Sequence, residues 1–339
     1  MIYFLGPCAA ESRTQVLTTA RLLSEQLDGD HLYIYRAGVW KPRTSPDTFQ
    51  GVGAEALQWL TEVKRTYGMP VATEVATPEH VRLALEAGID YLWIGARTSA
   101  NPIAVQAIAD ELKAKGQQPK AVLIKNPVNE DAALWLGNIA RLEQAGVAVI
   151  AVHRGCGHRP CWGMAHRVRT ERPDIPMLLD PSHLTGDAAL VPDMLLRVAE
   201  LGLDGAMIEV HCSPETALSD ARQQITPAAL HATLYTLHST PYTLHPTPST
   251  IHHTPTPLTW YRAEIDELDD QLWDILLRRL EVCERIGEWK RANAVAPLQP
   301  ERFEQLVRDR LKWGSANGIS SETIRTILSA IHEESLRRQ

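Results

Sequence analysis

Residues 206–211 read Ala-Met-Ile-Glu-Val-His, a short apolar run that ends in polar side chains. A run of this length and composition is typical of a strand buried on both faces of a parallel sheet. Seven similar runs precede it, separated by longer segments of helical periodicity, which predicts repeated β–α units. The eight strand candidates are Ile2–Leu5, Leu32–Tyr35, Val71–Val75, Tyr91–Ile94, Ala121–Ile124, Val147–Val152, Met177–Leu179 and Ala206–Val210.

Two architectures can hold eight such strands. No glycine-rich dinucleotide fingerprint follows the first strand, so the pattern favours an α/β fold of the closed (β/α)8 TIM barrel type over an open doubly wound sheet. The first strand candidate begins at residue 2, and we therefore expect no accessory domain before the barrel.

The composition limits the class of partner. The chain has 339 residues, 44% of them hydrophobic, and a net charge of −7. This charge gives no broad basic surface for nucleic acid or anionic membranes, so we expect small molecules or protein chains as partners. The five cysteines form no CxxC pair, which favours a reducing, cytoplasmic location. No run approaches the ~18 apolar residues of a membrane helix.

The chain divides by composition into three parts. Residues 1–230 carry the barrel pattern, 231–257 are rich in Thr, Pro and His, and 258–339 have helical periodicity. The middle part repeats every seven residues (LHATLYT, LHSTPYT, LHPTPST, IHHTPTP), and its prolines forbid a coiled coil. We interpret it as an extended linker, with metal binding by its histidines as the alternative.

The C-terminal part predicts a small all-α domain of three helices. The first is long and ends before Pro297, and the others cover Gln299–Ala316 and Ser320–Arg338, with Ser320 as an N-cap. One apolar face is expected along the long helix, formed by Ile265, Leu268, Leu272, Leu276, Leu280, Cys283 and Ile286.

Polar residues follow every strand candidate. Because the C-terminal ends of barrel strands carry the active site, these residues are candidates for catalysis and binding. In strand order they are Cys8, Arg36 with Lys41, Glu74, Arg97, Lys125, His153 with Arg154, Asp180 with His183, and Glu209 with His211.

Two groupings within this set have a chemical meaning. Six cations at one mouth call for polyanionic ligands such as phosphorylated substrates: Arg36, Lys41, Arg43, Arg97, Lys125 and Arg154. Cys8, His183, Glu209 and Asp220 offer an open divalent-metal site, and the alternative is a buried cysteine among unrelated polar residues. The loop 154–161 is interpreted as substrate-facing with incidental thiols; the alternative is a second metal site through Cys156, Cys161 and His158.

Ordered motifs along the barrel resemble the short DAHP (3-deoxy-D-arabino-heptulosonate 7-phosphate) synthases. They are Gly6-Pro7-Cys8 with Glu11-Ser12, Lys41-Pro42-Arg43-Thr44-Ser45-Pro46, Ile94-Gly95-Ala96-Arg97, Asp180-Pro181-Ser182-His183 and Met207-Ile208-Glu209-Val210-His211. The resemblance implies condensation of phosphoenolpyruvate with erythrose 4-phosphate. The octulosonate 8-phosphate synthases, which use a five-carbon sugar, remain the alternative, although the loop at Lys41 points away from them.

The same resemblance implies a role for each motif residue. The metal, of the Mn, Fe, Co or Zn class, is held by Cys8, His183, Glu209 and Asp220. Phosphoenolpyruvate is held by Arg97, Lys125 and Arg154, with Arg36 and Lys41 nearby, and the aldose phosphate by Arg43, Thr44 and Ser45. Lys41 and Asp180 are the candidate catalytic residues.

The helical part resembles the all-helical chorismate mutases. The matching residues are Arg262-x-x-Ile265-x-x-Leu268-Asp269, Arg279, Lys290, Arg302, Ser335 and Gln339. The resemblance implies rearrangement of chorismate to prephenate in an intertwined homodimer, possibly within a tetramer. Arg262, crossing to the partner's site, and Arg279 then bind the carboxylates, Lys290 and Gln339 act on the ether oxygen, and Arg302 and Ser335 contact substrate. Gln299 stands where the family commonly has an aspartate, and Phe303 where it often has a glutamate or glutamine beside the reacting ring.

These observations predict a bifunctional enzyme. Because no regulatory extension is expected before the barrel, the mutase domain is also expected to sense prephenate or chorismate as a feedback inhibitor of the barrel. The alternative is a binding-only regulatory domain without mutase activity. A non-enzymatic interaction protein is disfavoured, since it requires the polar residues at all eight strand ends to be coincidental.

Overall fold

The computed structural model describes residues 1–27, 31–42, 45, 47–114, 118–157, 159–239, 256–296 and 299–338. It forms two compact units, Met1–Glu264 and Ile265–Gln339.

The first unit contains a closed barrel of eight parallel strands in sequence order. This confirms the barrel and excludes the open doubly wound sheet. The strands are β1 Ile2–Gly6, β2 Leu32–Arg36, β3 Val71–Val75, β4 Tyr91–Ile94, β5 Ala121–Lys125, β6 Val149–His153, β7 Met177–Leu179 and β8 Gly205–Glu209. Closure pairs β1 with β8 and sets Gly6 opposite Glu209, so residues after β1 lie beside the acid that ends β8.

Helices follow the strands and cover the outside of the barrel. They are α1 Arg13–Gln26, α2 Ala56–Tyr67, α3 Pro78–Glu86, α4 Ala96–Ser99, α5 Pro102–Ala114, α6 Ala132–Gln144, α7 Trp162–Glu171, α8 Pro181–Thr185, α9 Val191–Glu200 and α10 Pro227–Ser239. Side chains cap several of these helices, including Ser12 before α1 and Asp131 before α6, each accepting a backbone N–H bond.

Apolar side chains fill two layers because strand residues alternate between the inside and the outside of the barrel. The inner layer includes Phe4, Ile34, Trp93, Val152 and Met207, all buried. The outer layer lies between the strands and the helices. Both layers leave the C-terminal strand ends for polar side chains.

One glycine allows two strands to approach closely beside the mouth. Gly6 has a φ of 148°, and a Cβ there would collide with the carbonyl oxygen of Arg36. Any side chain at residue 6 would push β1 away from the end of β2, where Arg36 lies.

Helix α10 corrects the expectation of an extended segment from residue 231. Residues 227–239 are helical, and Leu230, Leu234 and Leu237 are buried in the outer core layer. These apolar residues recur at helical spacing, so burial favoured a helix over the extended form that the repeat suggested. The remaining repeats, residues 240–255, lie outside the described residues.

The last three helices are α11 Pro257–Ala292, α12 Pro300–Ala316 and α13 Ser321–Arg337. The N-cap at Ser320 is confirmed, since its Oγ accepts a bond from the Thr323 N–H. Gly314 lets α12 approach α13 closely, because a Cβ there would meet the Ile324 side chain. Among the described residues, we find no helix with the length and apolar character needed to cross a membrane.

The apolar face expected on the long helix divides in two. Leu280 and Cys283 are buried within the unit, whereas Ile265, Leu268 and Leu272 are more than half exposed. The exposed residues form a stripe with steps of three and four residues and one step of seven. This exposed seam consists of Ile265, Leu268, Leu272, Ile275, Val282, Ile286 and Trp289. The single-face expectation was wrong because the helix presents a second apolar stripe that its own unit does not cover.

Candidate active sites

A polar pocket opens at the C-terminal ends of the barrel strands and encloses about 600 Å³ of empty space, part of it open to solvent. The sequence places a charged side chain at or just after most strands, so closure of the barrel gathers these side chains. The lining includes Arg36, Lys41, Glu74, Arg97, Lys125, Arg154, His183 and Asp220.

Three buried cations of the pocket are each paired with a carboxylate. Nη2 of Arg36 lies 3.3 Å from Oε1 of Glu209, and Nζ of Lys125 lies 2.6 Å from Oδ2 of Asp180. Nζ of Lys41 lies 3.8 Å from Oε2 of Glu74. Burying a charge is costly without a partner, so these pairs allow the cations to stay charged inside the mouth.

Arg36 keeps unused hydrogen-bonding capacity. Its side chain is 1% exposed, its Cζ lies 4.6 Å from the centre of the Trp93 ring, and its Nε and Nη1 are buried with no hydrogen-bond partner. Buried N–H donors are normally satisfied, and leaving one without a partner costs about 1–3 kcal/mol. An anionic ligand in the pocket would supply the missing acceptors.

Asp180 connects a cation to an imidazole. Its carboxylate accepts a bond from the Lys125 ammonium, caps α8 at the His183 N–H, and lies 2.9 Å from Nδ1 of His183. Burial opposes ionisation, but the charges of His183 and Lys125 outweigh it and hold the pKa of Asp180 well below its ordinary value. The ionised carboxylate orients the imidazole, whose Nε2 lies 3.7 Å from Oε1 of Glu209.

Three of the four expected metal ligands lie together. The ligand atoms of Cys8, Glu209 and Asp220 are all within 4.8 Å of one another, and Cys8 Sγ is 2.9 Å from Asp220 Oδ2. His183 lies beside this group through its approach to Glu209. Burial, reinforced by the negative charge of Glu209, raises the pKa of Cys8 to about 12. A thiol, two carboxylates and an adjacent imidazole fit a borderline divalent cation, whose charge would favour the thiolate.

The remaining phosphate-binding candidates are more exposed. Arg97 is exposed, and its Nη1 lies 3.5 Å from the Pro42 carbonyl oxygen. Arg154 is partly buried, and its Nε has no hydrogen-bond partner. Ser45 is partly exposed, and its Oγ accepts a bond from the Asp47 N–H at 3.4 Å. Arg43 and Thr44 lie outside the described residues.

Sequence reasoning missed the residues that support the metal ligands. Gln223 donates to Oε2 of Glu209 at 2.7 Å, Gln224 accepts from the Cys8 N–H at 3.0 Å, and Ser182 accepts from the Glu209 N–H at 3.0 Å. The polar pair Gln223-Gln224, three residues after Asp220, was an available signal. Gly95 was quoted only within a motif, yet a Cβ there would collide with Oε1 of Glu74.

The second unit gathers a smaller cationic site. Nη1 of Arg279 donates to Oγ of Ser335 at 2.6 Å, and Ser335 and Lys290 are both buried. His332 stacks on Phe303, with ring centroids 3.9 Å apart. Burial and the positive charges of Arg279 and Lys290 lower the pKa of His332, so both cations act on the same region.

Two other residues expected in this site, Arg302 and Arg262, are not brought to it within the unit. Arg302 is exposed on α12, and Arg262 is exposed on the part of α11 that belongs to the first unit. Gln339 lies outside the described residues.

Comparisons with known proteins agree with this division. Residues 1–243 match the DAHP synthetase I family, and residues 261–339 match chorismate mutase type II. A phospho-2-dehydro-3-deoxyheptonate aldolase of Thermotoga maritima is 31% identical over 227 residues, which are 65% of this chain and 64% of that protein. A 4-amino-4-deoxychorismate mutase of Streptomyces pristinaespiralis is 36% identical over 81 residues, which are 24% of this chain and 63% of that protein.

A solved structure supports the same assignment. The crystal structure of the DAHP synthase of Thermotoga maritima superposes with a TM-score of 0.61 at 27% identity, covering 72% of this chain and 70% of that chain. These findings confirm both resemblances drawn from the motifs. The chain belongs to the DAHP synthetase I family and carries a C-terminal segment of the chorismate mutase type II family.

Proposed function

We propose that the barrel, taken as residues 1–230, condenses phosphoenolpyruvate with erythrose 4-phosphate and releases phosphate. The observation that carries this proposal is the buried Arg36 guanidinium, whose Nε and Nη1 lack acceptors. It lines the same pocket as Lys125 and Arg154. A small ligand with a carboxylate and a phosphate matches these donors in charge and in hydrogen-bonding type.

A divalent metal fits beside this anion site. Cys8, Glu209 and Asp220 would hold it, with His183 as the fourth ligand after a small adjustment. When bound, the metal would supply Lewis-acid polarisation of the aldehyde oxygen. Gln223 and Gln224 would keep Glu209 and Cys8 oriented, as supporting residues of metal sites do.

The side chains of the mouth would position the two substrates. Arg36, Lys125, Arg154 and Arg97 hold phosphoenolpyruvate so that its enol carbon faces the aldehyde carbon. After the carbon–carbon bond forms, water adds to the oxocarbenium-like centre and phosphate leaves by carbon–oxygen cleavage.

Lys41 is the candidate proton donor. Burial lowers its pKa, but the electrostatic interactions with Cys8 and Glu74 outweigh burial and raise the pKa above its ordinary value. Its Nζ donates to the Cys8 carbonyl oxygen at 3.2 Å, at the edge of the proposed metal cluster. A protonated lysine there can hold a proton near the developing alkoxide of the aldose. Ionised Asp180 keeps Lys125 and His183 in place.

The barrel proposal is tested with two aldose phosphates. The purified protein, supplied with manganese(II) and phosphoenolpyruvate, should release phosphate with erythrose 4-phosphate and much more slowly with a five-carbon aldose phosphate. A chelator should abolish turnover, and added manganese(II) should restore it. A preference for the five-carbon sugar would assign the barrel to octulosonate synthesis instead.

We propose that the helical domain, residues 258–339, rearranges chorismate to prephenate. The observation that carries this proposal is the pair of cations, Arg279 and buried Lys290, which both act on His332. Arg279 would bind a carboxylate, with Ser335 orienting its guanidinium, and Lys290 with Gln339 would stabilise negative charge on the ether oxygen. Arg302 would contact substrate from the rim.

A second copy of the chain would complete this site. The exposed seam repeats apolar residues at the spacing of a helix that pairs with another helix. Burying an exposed aliphatic side chain contributes about 1.5–3 kcal/mol, so several such residues favour a homodimer. Arg262 would then enter the partner's site, which explains why it is solvent-exposed in one copy.

The binding-only domain is the second candidate, and one observation favours it. Phe303 stacks on His332 where related mutases more often have an acidic or amide side chain beside the reacting ring. Prephenate formation by the full-length protein, with Lys290→Ala as control, separates the candidates. Turnover that the variant loses supports a mutase, whereas chorismate binding without turnover supports a sensor.

We also propose that the helical domain senses prephenate or chorismate and inhibits the barrel. Its cationic site suits a dicarboxylate of this kind. Truncation tests the idea, and α10 shows where to cut: ending the chain after Ser239 preserves the buried Leu234 and Leu237, which a cut at His231 would remove. A truncated barrel that prephenate still inhibits would refute the sensing role.

A further inference from the structure

A pair of thiols lies on the loop that follows β6, apart from the proposed metal ligands. Cys156 and Cys161 are both buried in this loop, five residues apart, and their thiols interact. The chemistry proposed above uses neither of them. A disulfide forms readily between cysteines that already lie close together, and here a tight backbone turn and the interaction between the thiols bring Cys156 near Cys161.

The backbone of the loop holds the two thiols together. The Cys156 N–H donates to the Arg159 carbonyl oxygen at 2.9 Å, and the Arg159 N–H donates back at 3.3 Å. Cys161 then adopts a left-handed conformation, with φ of 50°, directly before α7. Such a φ is uncommon for a residue other than glycine. The thiol pair is therefore built into the shape of the loop.

The same loop is hydrogen-bonded to the substrate pocket. Asn126 accepts a bond from the Arg154 N–H at 2.7 Å and donates to the Gly155 carbonyl oxygen at 3.0 Å. At the other end, Nε2 of His153 lies 2.5 Å from the Pro160 carbonyl oxygen. A displacement of the sulfurs would thus reach Arg154, which lies two residues before Cys156 and lines the pocket.

We propose that Cys156 and Cys161 form a reversible intramolecular disulfide that weakens phosphoenolpyruvate binding by displacing Arg154. The effect on binding rests on the proposed function of the barrel. A disulfide bond is about 2.05 Å long, shorter than any thiol–thiol hydrogen bond, so oxidation must draw the two ends of the loop together.

The oxidant is a small-molecule disulfide such as oxidised glutathione. The Cys156 sulfur attacks one of its sulfurs, and the first glutathione leaves as a thiol. The Cys161 sulfur then attacks Cys156 in this mixed disulfide, and the second glutathione leaves. The protein loses two electrons and two protons, and the oxidant takes up both.

The surroundings favour Cys156 as the attacking thiol. The hydrogen bond from Cys161 lowers the pKa of Cys156, an effect that outweighs burial, and the charges of Arg159 and Arg154 lower it further. A thiol with a lowered pKa supplies more of the nucleophilic thiolate at neutral pH.

The test uses the full-length protein with manganese(II), equilibrated in glutathione buffers from reducing to oxidising. After alkylation and trypsin digestion, one peptide, residues 155–167, carries both cysteines, because trypsin does not cleave between Arg159 and Pro160. The mass of this peptide and the KM for phosphoenolpyruvate are measured in each glutathione buffer. Cys156→Ser and Cys161→Ser test the pair, and Cys212→Ser is the matched control, since Cys212 lies outside the loop.

We expect the oxidised peptide to carry no alkyl group and to weigh two hydrogen atoms less than the unalkylated dithiol, whereas the reduced peptide carries two alkyl groups. Oxidation should also raise the KM at least about threefold, and dithiothreitol should reverse both changes. Oxidation should leave the KM of the two loop variants unchanged, and Cys212→Ser should respond as the parent does. Two separately modified thiols on the peptide, or a disulfide without a change in KM, would overturn the proposal. If the reduced protein forms no DAHP, the proposed function fails, and the peptide mass alone still decides whether the disulfide forms.

Discussion

Replacing Arg36 by lysine should separate substrate binding from stability. Arg36 is buried, its Nη2 contacts Glu209, and its Nε and Nη1 have no partner without a ligand. Lysine keeps the positive charge but cannot reproduce both free donors of the guanidinium. A hydrogen bond to a charged group contributes about 1.5–3 kcal/mol, so losing one or two of them should cost about 3 kcal/mol, or roughly 100-fold in the Kd for phosphoenolpyruvate.

The assay is titration calorimetry with phosphoenolpyruvate in the presence of manganese(II), together with urea unfolding of the ligand-free protein. Arg36→Lys should lower the free energy of unfolding by less than about 1 kcal/mol, because removing two unsatisfied donors offsets a weakened ion pair. Arg167→Lys is the matched control, since Arg167 is about half exposed on α7 and pairs with Glu171 one turn further along the same helix. A Kd within twofold of the parent, combined with a large loss of stability, would show that Arg36 is structural and refute the reasoning.

Three other changes test separate parts of the structure. Gly95→Ala should lower DAHP turnover about tenfold or more, because the new methyl group displaces Glu74 from Lys41; an unchanged kcat would contradict this. Leu272→Glu in the exposed seam should reduce the mass seen by sedimentation and abolish mutase activity but not DAHP formation, whereas Leu277→Glu, equally exposed outside the seam, should do neither. Burial lowers the pKa of His153 to about 4, so the unfolded chain binds a proton that the folded barrel excludes. Stability should therefore be full above about pH 6.5 and fall by about 2 kcal/mol by pH 5, a decrease that urea unfolding should find reduced in His153→Gln.

The sequence predicted the regular elements of the barrel closely, since each strand is a compact apolar run whose burial depends little on distant residues. The strands at Val71–Val75, Tyr91–Ile94 and Met177–Leu179 have the expected bounds. The prediction that the extended linker begins at residue 231 was wrong. It followed the threonines and prolines of the repeat and gave too little weight to the three leucines that α10 buries. Local composition carries no information on whether a neighbouring surface is available to cover such residues.

The sequence predicted which residues lie in the candidate site, but not which of them contact one another. That Cys8 and Glu209 are neighbours follows from closure of the barrel, which pairs β1 with β8. No pattern in the sequence indicates that Asp180 orients His183 while holding Lys125, or that Gln223 supports Glu209. Such contacts depend on side-chain rotamers at strand ends far apart in the chain.

The pairing of charges explains why a mouth so rich in cations can fold without its ligands. The three most buried cations, Arg36, Lys41 and Lys125, each face a carboxylate, so little net charge is removed from water. Arg97 and Arg154 lie nearer the rim, where solvent screens them and where an incoming phosphate meets them first. The buried cation–carboxylate pairs therefore allow the barrel to fold. The cations at the rim, together with the free donors of Arg36, favour binding of an anion. An anion that binds here gains attraction from the rim without having to separate the buried pairs.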